Sequence, residues 1–509
     1  MNGEEALKSL NGFYALAFYD RQLNRLVLAR DLAGIKPLLV FEDDEKVCFA
    51  SEMTGLTPFT KSFEINPTTL NQYFSLTYTA APETIANRVN ALMPGEVRVY
   101  EDKGCVSSTY LKTKTSEFKQ SYSVACDQLE ELLSESVARR MVSDVPLGTF
   151  LSGGLDFSII AALAKRNKSD LKTFSVGFDH PYFNESNYSS EVSKHIDSHY
   201  FEIIISKNDF KQSFTHFLDA LDQPFADSSA FAMYLLAKKT KEEVTVALSG
   251  DGADELFAGY RKHMAAFRAS NFGSGKQSVI QVLAKISKPI PEKRAGKFGD
   301  FARKIKRLNR GLDLGEEDRY WFWCQFITKE DRESLLKHGF VDIKYPYDWG
   351  NRGFQDHLLA DQQLVLPNDM LKKVDAMSIA HGLEVRTPFL DRSVIEFAQS
   401  IPTDYKINRR HGKRILRDTF SDLLPKSILT RSKKGFEIPL AYWLEDEIVE
   451  QFQSDRFSKD YLIKQDLFNV EYVMYLKKDL KSAIQGDRIY LVWALIVFQF
   501  WWDKQQKKS

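Results

Sequence analysis

The stretch that decides the fold is VPLGTFLSGGLDFS, residues 145–158. Its first half is an apolar run typical of a buried strand, and a helical pattern begins at Asp156. Between them, Gly153 and Gly154 let the backbone approach a ligand without an intervening Cβ, and the N–H groups that start the helix favour a phosphate. The stretch predicts an anion-binding turn; the alternative is a plain strand-to-helix turn capped by Asp156.

A second stretch further along the chain repeats this design. It is VTVALSGDGADE, residues 244–255, where a β-rich run ends in a Ser-Gly turn and a helix begins. Two such turns at the carboxyl ends of strands in one parallel sheet face the same crevice. Asp156 from the first turn and Asp254 from the second can then hold Mg²⁺, which prefers carboxylate and phosphate oxygens. The pair of turns therefore predicts a site for Mg²⁺ and a polyphosphate.

The composition excludes several classes of partner. The 509 residues include 69 basic and 69 acidic ones, so nothing indicates bulk attraction to nucleic acid or anionic lipid. The four cysteines, Cys48, Cys105, Cys126 and Cys324, lack metal-ligand spacing and a disulfide framework, which is typical of a reducing cytosol. The sequence shows neither a secretory leader nor an apolar run of membrane-spanning length. We expect a cytoplasmic protein that binds neither nucleic acid nor membranes.

The chain divides into two predicted domains. Residues 1–112 are mostly β, with a hairpin signature at 13–29, and a polar segment at 112–120 is the predicted linker. From residue 122 onward strands and helices alternate, which indicates a parallel sheet with helices on both faces. Beyond about residue 256 the pattern is helical and ends in a buried helix. The predicted fold class is α/β, with a doubly wound, mainly parallel sheet and a helical C-terminal part.

Several motifs carry a resemblance to a known family. The segment SGGLD, residues 152–156, resembles the pyrophosphate loop of the ATP-pyrophosphatase enzymes, and with LSGDGADELFAGY, residues 248–260, the chain resembles glutamine-dependent asparagine synthetases. Further matches are LDQPFAD (221–227), GLEVRTPFLD (382–391) and GKRILR (412–417), and LNGFYALAFYD (10–20) and ARDLAGIKPL (29–38) resemble the later half of the family's glutaminase domain.

The resemblance implies a fold for each domain. Residues 113–509 would form an adenine nucleotide α-hydrolase-like synthetase domain. Residues 1–112 would be the later part of a type 2 amidotransferase, an α+β sandwich of the N-terminal-nucleophile type. The family's glutaminase nucleophile is an N-terminal cysteine, whereas this chain starts with Met1-Asn2. We expect either a fragment of a longer protein, the interpretation favoured by the unpaired sheet edge of a half-sandwich, or ammonia from another source.

The resemblance also implies a set of site residues. Lys413 would be the catalytic lysine that neutralises the α-phosphate, and Asp251 would take a proton from ammonia, although the family generally has an acid with longer reach there. Mg²⁺ would be held by Asp156 and Asp254. The residues expected to bind ATP and pyrophosphate are Ser152, Gly153, Gly154, Leu155, Asp156, Ser158, Val176, Ser249 and Gly250. Phe157 replaces the hydroxyl residue that usually follows the loop aspartate, which predicts weaker ATP binding.

The acceptor site is predicted from one segment. The residues that match the segment lining the family's aspartate site are Asp369, Lys372, Lys373, Asp375, Glu384 and Arg386. The alternative is that they form structural ion pairs on a helix.

Three functions remain open from the sequence. The first is ATP-dependent amidation of aspartate to asparagine, through a β-aspartyl-adenylate with release of AMP and pyrophosphate. The second is amidation of another carboxylate, such as that of a sugar or a cell-surface precursor. The third is a non-catalytic relative with a binding role, which Phe157 and the missing nucleophile suggest. ATP and Mg²⁺ are the implied cofactors, the partners are small molecules, and a homodimer is possible.

Overall fold

The structure is a computed structural model, and the fold rests on two β-rich regions joined by helices. It describes residues 3–60, 64–102, 104–109, 117–180, 183–270, 306–338, 343, 345, 347–350, 352–431, 440–443 and 445–506. The predicted domain boundary at 112/113 lies outside these residues, so it stays a prediction.

The N-terminal region contains two antiparallel sheets. Its strands are β1 (Ala15–Asp20), β2 (Arg25–Arg30), β3 (Leu39–Glu42), β4 (Val47–Ala50), β5 (Val89–Ala91), β6 (Glu96–Glu101) and β7 (Gly104–Thr109). They are arranged in the orders β1-β2-β6-β7 and β4-β3-β5. The predicted hairpin is β1–β2, where the Asp20 carboxylate accepts hydrogen bonds from the Gln22 and Leu23 N–H groups and so fixes the turn.

A helix of this region packs against helices from the C-terminal part of the chain. The short helix α1 (Met53–Leu56) is followed by α2 (Pro67–Leu76), which the Asn66 side chain caps. The Tyr73 hydroxyl on α2 donates a hydrogen bond of 2.8 Å to the Ala494 carbonyl, and Arg332 Nε donates one of 3.0 Å to Asn71 Oδ1. Side chains of α2 therefore share one continuous core with the C-terminal helices.

The second region is built on a purely parallel sheet. Its strands are β8 (Leu147–Phe150), β9 (Lys172–Phe178), β10 (His199–Ile205), β11 (Val246–Leu248) and β12 (Glu384–Arg386). The helices before and between β8 and β11, together with the first two that follow β11, are α3 (Tyr122–Arg140), α4 (Leu155–Asn167), α5 (Ser186–His195), α6 (Lys207–Ala220), α7 (Ser229–Lys241), α8 (Ala253–Leu256) and α9 (Arg261–Ser270). The prediction of a parallel α/β sheet is confirmed, whereas β12 was not predicted as a strand.

Helices cover both faces of this sheet. Alternate strand residues enter different cores, because successive side chains of a strand point to opposite faces. Leu147, Val246 and Leu248 belong to the core formed with α3 and α4. Phe150 and Ala247 belong to the core formed with α6 and α7. Burial on both faces explains why these strands are continuous apolar runs.

The strand order places the two predicted turns side by side. The sheet runs β10-β9-β8-β11-β12, and neighbouring strands are parallel throughout. The chain order therefore reverses between β8 and β11, where a crevice opens at the carboxyl ends of the strands. The turns that follow β8 and β11 flank this crevice.

Apart from β12, the remaining residues that the structure describes are mainly helical, as predicted. Their helices are α10 (Glu316–Cys324), α11 (Lys329–Leu335), α12 (Phe354–Ala360), α13 (Leu371–Ile379), α14 (Arg392–Ser400), α15 (Thr403–Lys406), α16 (Arg414–Thr419), α17 (Lys426–Thr430), α18 (Leu440–Trp443), α19 (Glu445–Gln453), α20 (Lys459–Gln465), α21 (Val470–Lys478), α22 (Leu480–Gln485) and α23 (Ile489–Gln506). Short 3-10 helices are Gly3–Ser9, Thr57–Phe59, Pro388–Leu390, Ser421–Leu423 and Asp455–Phe457, and a π-helix spans Asp361–Met370. Among the described residues no helix has the length and apolar character needed to cross a membrane.

Candidate functional site

The turns after β8 and β11 touch each other through their backbones. A Cβ added to Gly250 would lie 2.7 Å from the Phe157 nitrogen and 2.9 Å from the carbonyl carbon of Asp156. Only glycine at 250 permits this approach, since any side chain would push the two turns apart. The glycine of the second turn thus closes it onto the start of α4.

The first turn, Ser152–Gly154, is shaped to expose its backbone. Gly153 has φ +66°, and a Cβ there would lie 2.6 Å from the Ser189 nitrogen on α5. The helix that follows starts at Leu155, and the Gly154 N-cap has no side chain to satisfy the first N–H groups. Ser152 is exposed, and its hydroxyl accepts a hydrogen bond of 3.3 Å from the Gly154 N–H. These features suit an anion-binding turn.

Two buried polar groups lie in the first turn of α4. Asp156 is 5% exposed, and its Oδ1 accepts no hydrogen bond within the described part of the chain. Ser158 is fully buried, and its hydroxyl likewise has no hydrogen-bond partner among the residues that the structure describes. A buried polar atom without a partner is costly, so both atoms are ready to interact with a ligand or ion.

Lys413 joins the two predicted metal ligands. Its Nζ lies 2.6 Å from Asp156 Oδ2 and 2.5 Å from Asp254 Oδ1, with all three side chains largely buried. The backbone of Lys413 is left-handed at φ +55°, and its N–H donates a hydrogen bond of 3.0 Å to the Phe257 carbonyl just beyond α8. The close packing of Gly259 leaves no room for a side chain beside this lysine. The structure therefore brings Asp156, Asp254 and Lys413 together at the crevice.

These residues also fit Mg²⁺. Mg²⁺ is commonly held by one or two carboxylates together with substrate phosphates and water. Asp156 and Asp254 lie close enough to share one ammonium group, and Asp156 Oδ1 is an unsatisfied hard oxygen. The donor set thus matches the ion that the sequence predicts.

The second turn positions Asp251. Ser249 is fully buried at the end of β11, and its N–H donates a hydrogen bond of 2.8 Å to the Arg386 carbonyl. The Ser249 hydroxyl donates a short hydrogen bond to Asp251 Oδ2 and accepts one of 3.3 Å from the Asp251 N–H. The Asp251 carboxylate is therefore held on the turn and is only partly buried.

Val176, the predicted nucleotide contact on the other side of β8, lies half-buried on β9, opposite Ile203 of β10.

The side chains of the predicted acceptor residues contact several different partners. Lys373 Nζ contacts Asp227 Oδ2 and the Ser229 hydroxyl, both at 2.9 Å. Although burial lowers the pKa of a lysine, Asp227 and Asp369 hold the pKa of Lys373 above its ordinary value, and the charge of Asp251 acts in the same direction. Lys373 thus lies within electrostatic reach of the second turn.

Asp369 and Lys372 stand out because burial shifts the pKa of each toward its neutral form. Burial and the neighbouring charge of Asp227 raise the pKa of Asp369 well above its ordinary value, and its Oδ1 has no hydrogen-bond partner among the described residues. Burial lowers the pKa of Lys372 to about 8. Within the described part of the chain no hydrogen bond or ion pair reaches the Lys372 ammonium.

The remaining three predicted acceptor residues have structural partners. Asp375 Oδ1 pairs with Lys36 Nζ at 2.6 Å and so links α13 to the N-terminal region. Glu384 and Arg386 pair with each other along β12 at 2.7 Å, and Arg386 Nη1 also donates to carbonyls at the end of α3. The first four predicted residues therefore lie together on and just before α13, and the last two lie on the strand beside it.

A buried polar network behind Asp254 was not predicted from the sequence. Asp361 accepts hydrogen bonds from Lys262 Nζ at 2.5 Å and from His263 Nε2 at 2.6 Å, and the Tyr320 hydroxyl is a third partner. Burial by itself raises the pKa of Asp361, but Lys262 and His263 outweigh it and lower this pKa to about 2. The Glu255 side chain accepts a hydrogen bond of 2.5 Å from Tyr260. No local sequence signal marks this network, because its members come from separate helices.

The fold and the site define a class of protein. A parallel α/β sheet with an anion-binding turn where the strand order reverses is typical of nucleotide-binding α/β enzymes. Comparison with known protein families narrows this class. Residues 128–503 match the asparagine synthase family, and residues 1–111 match the glutamine amidotransferase domain family. The chain belongs to the asparagine synthase family.

Individual relatives agree with this assignment. The chain is 30% identical to asparagine synthetase [glutamine-hydrolyzing] 1 of Bacillus subtilis, over 98% of this chain and 78% of the relative. A putative asparagine synthetase [glutamine-hydrolyzing] of Mycobacterium bovis is also 30% identical, over 98% of this chain and 77% of the relative. Asparagine synthetase B [glutamine-hydrolyzing] of Escherichia coli is 24% identical, over 89% of this chain and 66% of the relative. These relatives support an ATP-dependent amidation and a ligase activity for the chain.

Proposed function

We propose that the protein converts aspartate to asparagine in an ATP-dependent reaction that passes through a β-aspartyl-adenylate. The observation that carries this proposal is the position of Lys413, whose ammonium lies 2.6 Å from Asp156 and 2.5 Å from Asp254. A lysine held at the crevice by carboxylates from two neighbouring turns is placed to act on a phosphate that enters between them.

The first step activates the acceptor. A β-carboxylate oxygen attacks the α-phosphorus of ATP, and pyrophosphate leaves. The Ser152–Gly154 turn and the N-terminus of α4 bind the departing pyrophosphate, while Leu155, Ser158, Val176, Ser249 and Gly250 complete the nucleotide pocket. Lys413 neutralises the charge that grows on the α-phosphate. Asp156 and Asp254 would hold Mg²⁺, which supplies further positive charge to the phosphates when bound.

The second step forms the amide. Ammonia attacks the activated carbonyl, AMP leaves, and the nitrogen must lose a proton. Asp251 is the proposed base, because the Ser249 hydroxyl holds its carboxylate in a fixed orientation on the second turn. An aspartate reaches less far than a glutamate, so ammonia must approach this turn closely. The nitrogen that the synthetase part uses is ammonia itself, whether free or delivered from glutamine.

Two buried ionisable groups near α13 favour an amino acid as the acceptor. An α-ammonium group would satisfy Asp369 Oδ1 and replace the repulsion between Asp369 and Asp227 by attraction. The α-carboxylate would pair with Lys372 and so stabilise its charged form, which burial disfavours. A sugar carboxylate offers no ammonium to Asp369. Aspartate therefore offers a partner to both Asp369 and Lys372, and its β-carboxylate is left to face the turns.

Pyrophosphate release tests the proposal. Purified protein receives ATP, Mg²⁺ and either aspartate or a panel of other carboxylates, with ammonium or glutamine as the nitrogen source. We expect pyrophosphate, AMP and asparagine with aspartate and ammonium. Release with a different acid alone would replace the acceptor, and failure of calorimetry to detect ATP-Mg²⁺ binding would indicate a non-catalytic relative.

Variants assign the acceptor residues. Asp369→Asn and Lys372→Met should each raise the KM for aspartate about tenfold or more, the loss expected for one hydrogen bond to a charged group, and leave the KM for ATP unchanged. Lys239→Met is the matched control, because Lys239 is an exposed lysine on α7 that pairs only with Glu242 in the described residues. An unchanged aspartate KM in both variants would refute this acceptor site.

The setting of the reaction is proposed on the same grounds. The neutral composition and the scattered, unpaired cysteines favour a cytoplasmic enzyme with small-molecule partners. A homodimer is a further prediction, which sedimentation of the purified chain would test.

A further inference from the structure

An arginine that the sequence did not mark lies directly behind the Ser152–Gly154 turn. Arg431 follows α17, and its Nη1 donates a hydrogen bond of 2.9 Å to the Gly153 carbonyl. Its Nη2 pairs closely with Glu185 at the start of α5. The guanidinium also stacks on the Tyr188 ring, 4.0 Å from its centre. One largely buried side chain thus fixes the turn to α5 through three separate contacts.

The hydrogen bond to Gly153 sets the direction of the next N–H group. A trans peptide is planar, so its carbonyl and its N–H point in opposite directions. With the Gly153 carbonyl held by Arg431, the Gly154 N–H must face away from the arginine, toward the side of Ser152. Gly153 has the left-handed φ of +66°, and because a glycine adopts many backbone conformations at little cost, contacts from outside the turn help to select this one.

A second arginine extends this hold to the lysine of the site. Arg417 on α16 donates hydrogen bonds to the Leu429 carbonyl and, at 3.4 Å, to the Arg431 carbonyl. Its Nε donates one of 3.3 Å to the Gly412 carbonyl, immediately before Lys413. Arg417 and Arg431 therefore connect the backbone beside Lys413 with the backbone of the turn.

We propose that Arg431 is a positioning residue for nucleotide binding. It orients the peptide between Gly153 and Gly154 so that its N–H, which now donates a hydrogen bond of 3.3 Å to the exposed Ser152 hydroxyl, faces the side on which the pyrophosphate part of ATP would bind, and it keeps this peptide in register with Lys413 through Arg417. Arg431 acts through the turn and does not itself touch the nucleotide. This inference rests on the proposed function, since it assumes that the turn binds pyrophosphate.

Direct binding measurements test the inference. Calorimetry with ATP-Mg²⁺ and with pyrophosphate-Mg²⁺ compares the wild-type protein, Arg431→Met and Arg431→Lys. We expect affinity for both ligands to fall at least about tenfold in Arg431→Met, the loss typical of a hydrogen bond to a charged group. Arg431→Lys should not restore the affinity, because an ammonium cannot hold a carbonyl and a carboxylate in the planar geometry of a guanidinium. Full affinity in Arg431→Lys would show that charge alone matters and would overturn the inference.

Controls separate this inference from the proposed function and from a loss of folding. Arg166→Met is the matched control, because Arg166 lies on α4 itself and, among the described residues, pairs only with Glu130 at the surface. Absence of ATP binding in the wild-type protein would refute the proposed function, whereas equal binding by wild type and Arg431→Met would refute only the role of Arg431. If Arg431→Met does not fold, Glu185→Gln weakens the same hold, and an unchanged affinity in that variant overturns the inference. In steady state the KM for ATP should rise and the acceptor KM stay constant; parallel changes in both would contradict a positioning role.

Discussion

Replacing Gly259 by alanine should disable the site without disturbing the fold. A Cβ at this position would lie 2.0 Å from Asp254 Oδ1 and 2.0 Å from Lys413 Cε. Normal contacts are about 3.5 Å, so the Asp254 and Lys413 side chains must separate. Gly259 has no positive φ, so its backbone accepts alanine and the effect is confined to these side chains.

The structure gives the size of this effect. Moving the ammonium from 2.5 Å to about 4 Å from Asp254 removes about 2.5 kcal/mol of attraction at an effective dielectric constant of about 20. A loss of this size corresponds to a decrease of about 70-fold in the equilibrium constant for holding the Lys413 ammonium in its position beside Asp254. Because Lys413 stabilises charge that develops in the transition state, we expect kcat to fall about 10²-fold, as when one electrostatic donor is removed from an active site.

The assay is pyrophosphate release with ATP, Mg²⁺, aspartate and ammonium, combined with thermal unfolding. Gly315→Ala is the matched control, since a Cβ there would meet its nearest atom at 3.8 Å. The control should keep wild-type activity and stability. A folded Gly259→Ala variant with kcat within twofold of wild type would refute the reasoning, because the position of Lys413 would then be irrelevant to the rate.

Two further predictions concern ATP affinity and pH-dependent stability. Phe157→Ser restores a hydroxyl beside the turn and should tighten ATP binding about tenfold by calorimetry, since it adds one hydrogen bond to a charged acceptor; unchanged or weaker binding would contradict this. Lys406 is fully buried, its Nζ reaches only the Gln355 amide oxygen at 3.4 Å among the described residues, and burial lowers its pKa to about 7. An unfolded lysine has a pKa near 10.4, so the wild-type protein carries the full penalty below about pH 7 and loses it as the pH rises toward 10. Lys406→Met should therefore be more stable by at least about 1.4 kcal/mol in denaturant unfolding at pH 7, with a gain that shrinks toward pH 10; a gain independent of pH would contradict this.

The sequence by itself determined the local architecture of the protein. Residues 145–158 and 244–255 showed both turns, because strand periodicity, adjacent glycines and a helix start are properties of neighbouring residues. The same local signals located the N-terminal hairpin and the long C-terminal helix. They also placed Asp156 and Asp254 beyond the carboxyl ends of two strands of one sheet, since parallel sheets bring such ends to one edge.

The tertiary structure alone decided which distant residues meet. The Lys413 ammonium lies against Asp156 although the two are 257 positions apart, and no periodicity encodes such a contact. The same holds for Asp227 beside Lys373, for Arg431 behind the turn, and for α2 in the core of the C-terminal helices. Partners of this kind are selected by the packing of the whole chain, because a buried charge is stable only where the completed fold supplies its counter-charge.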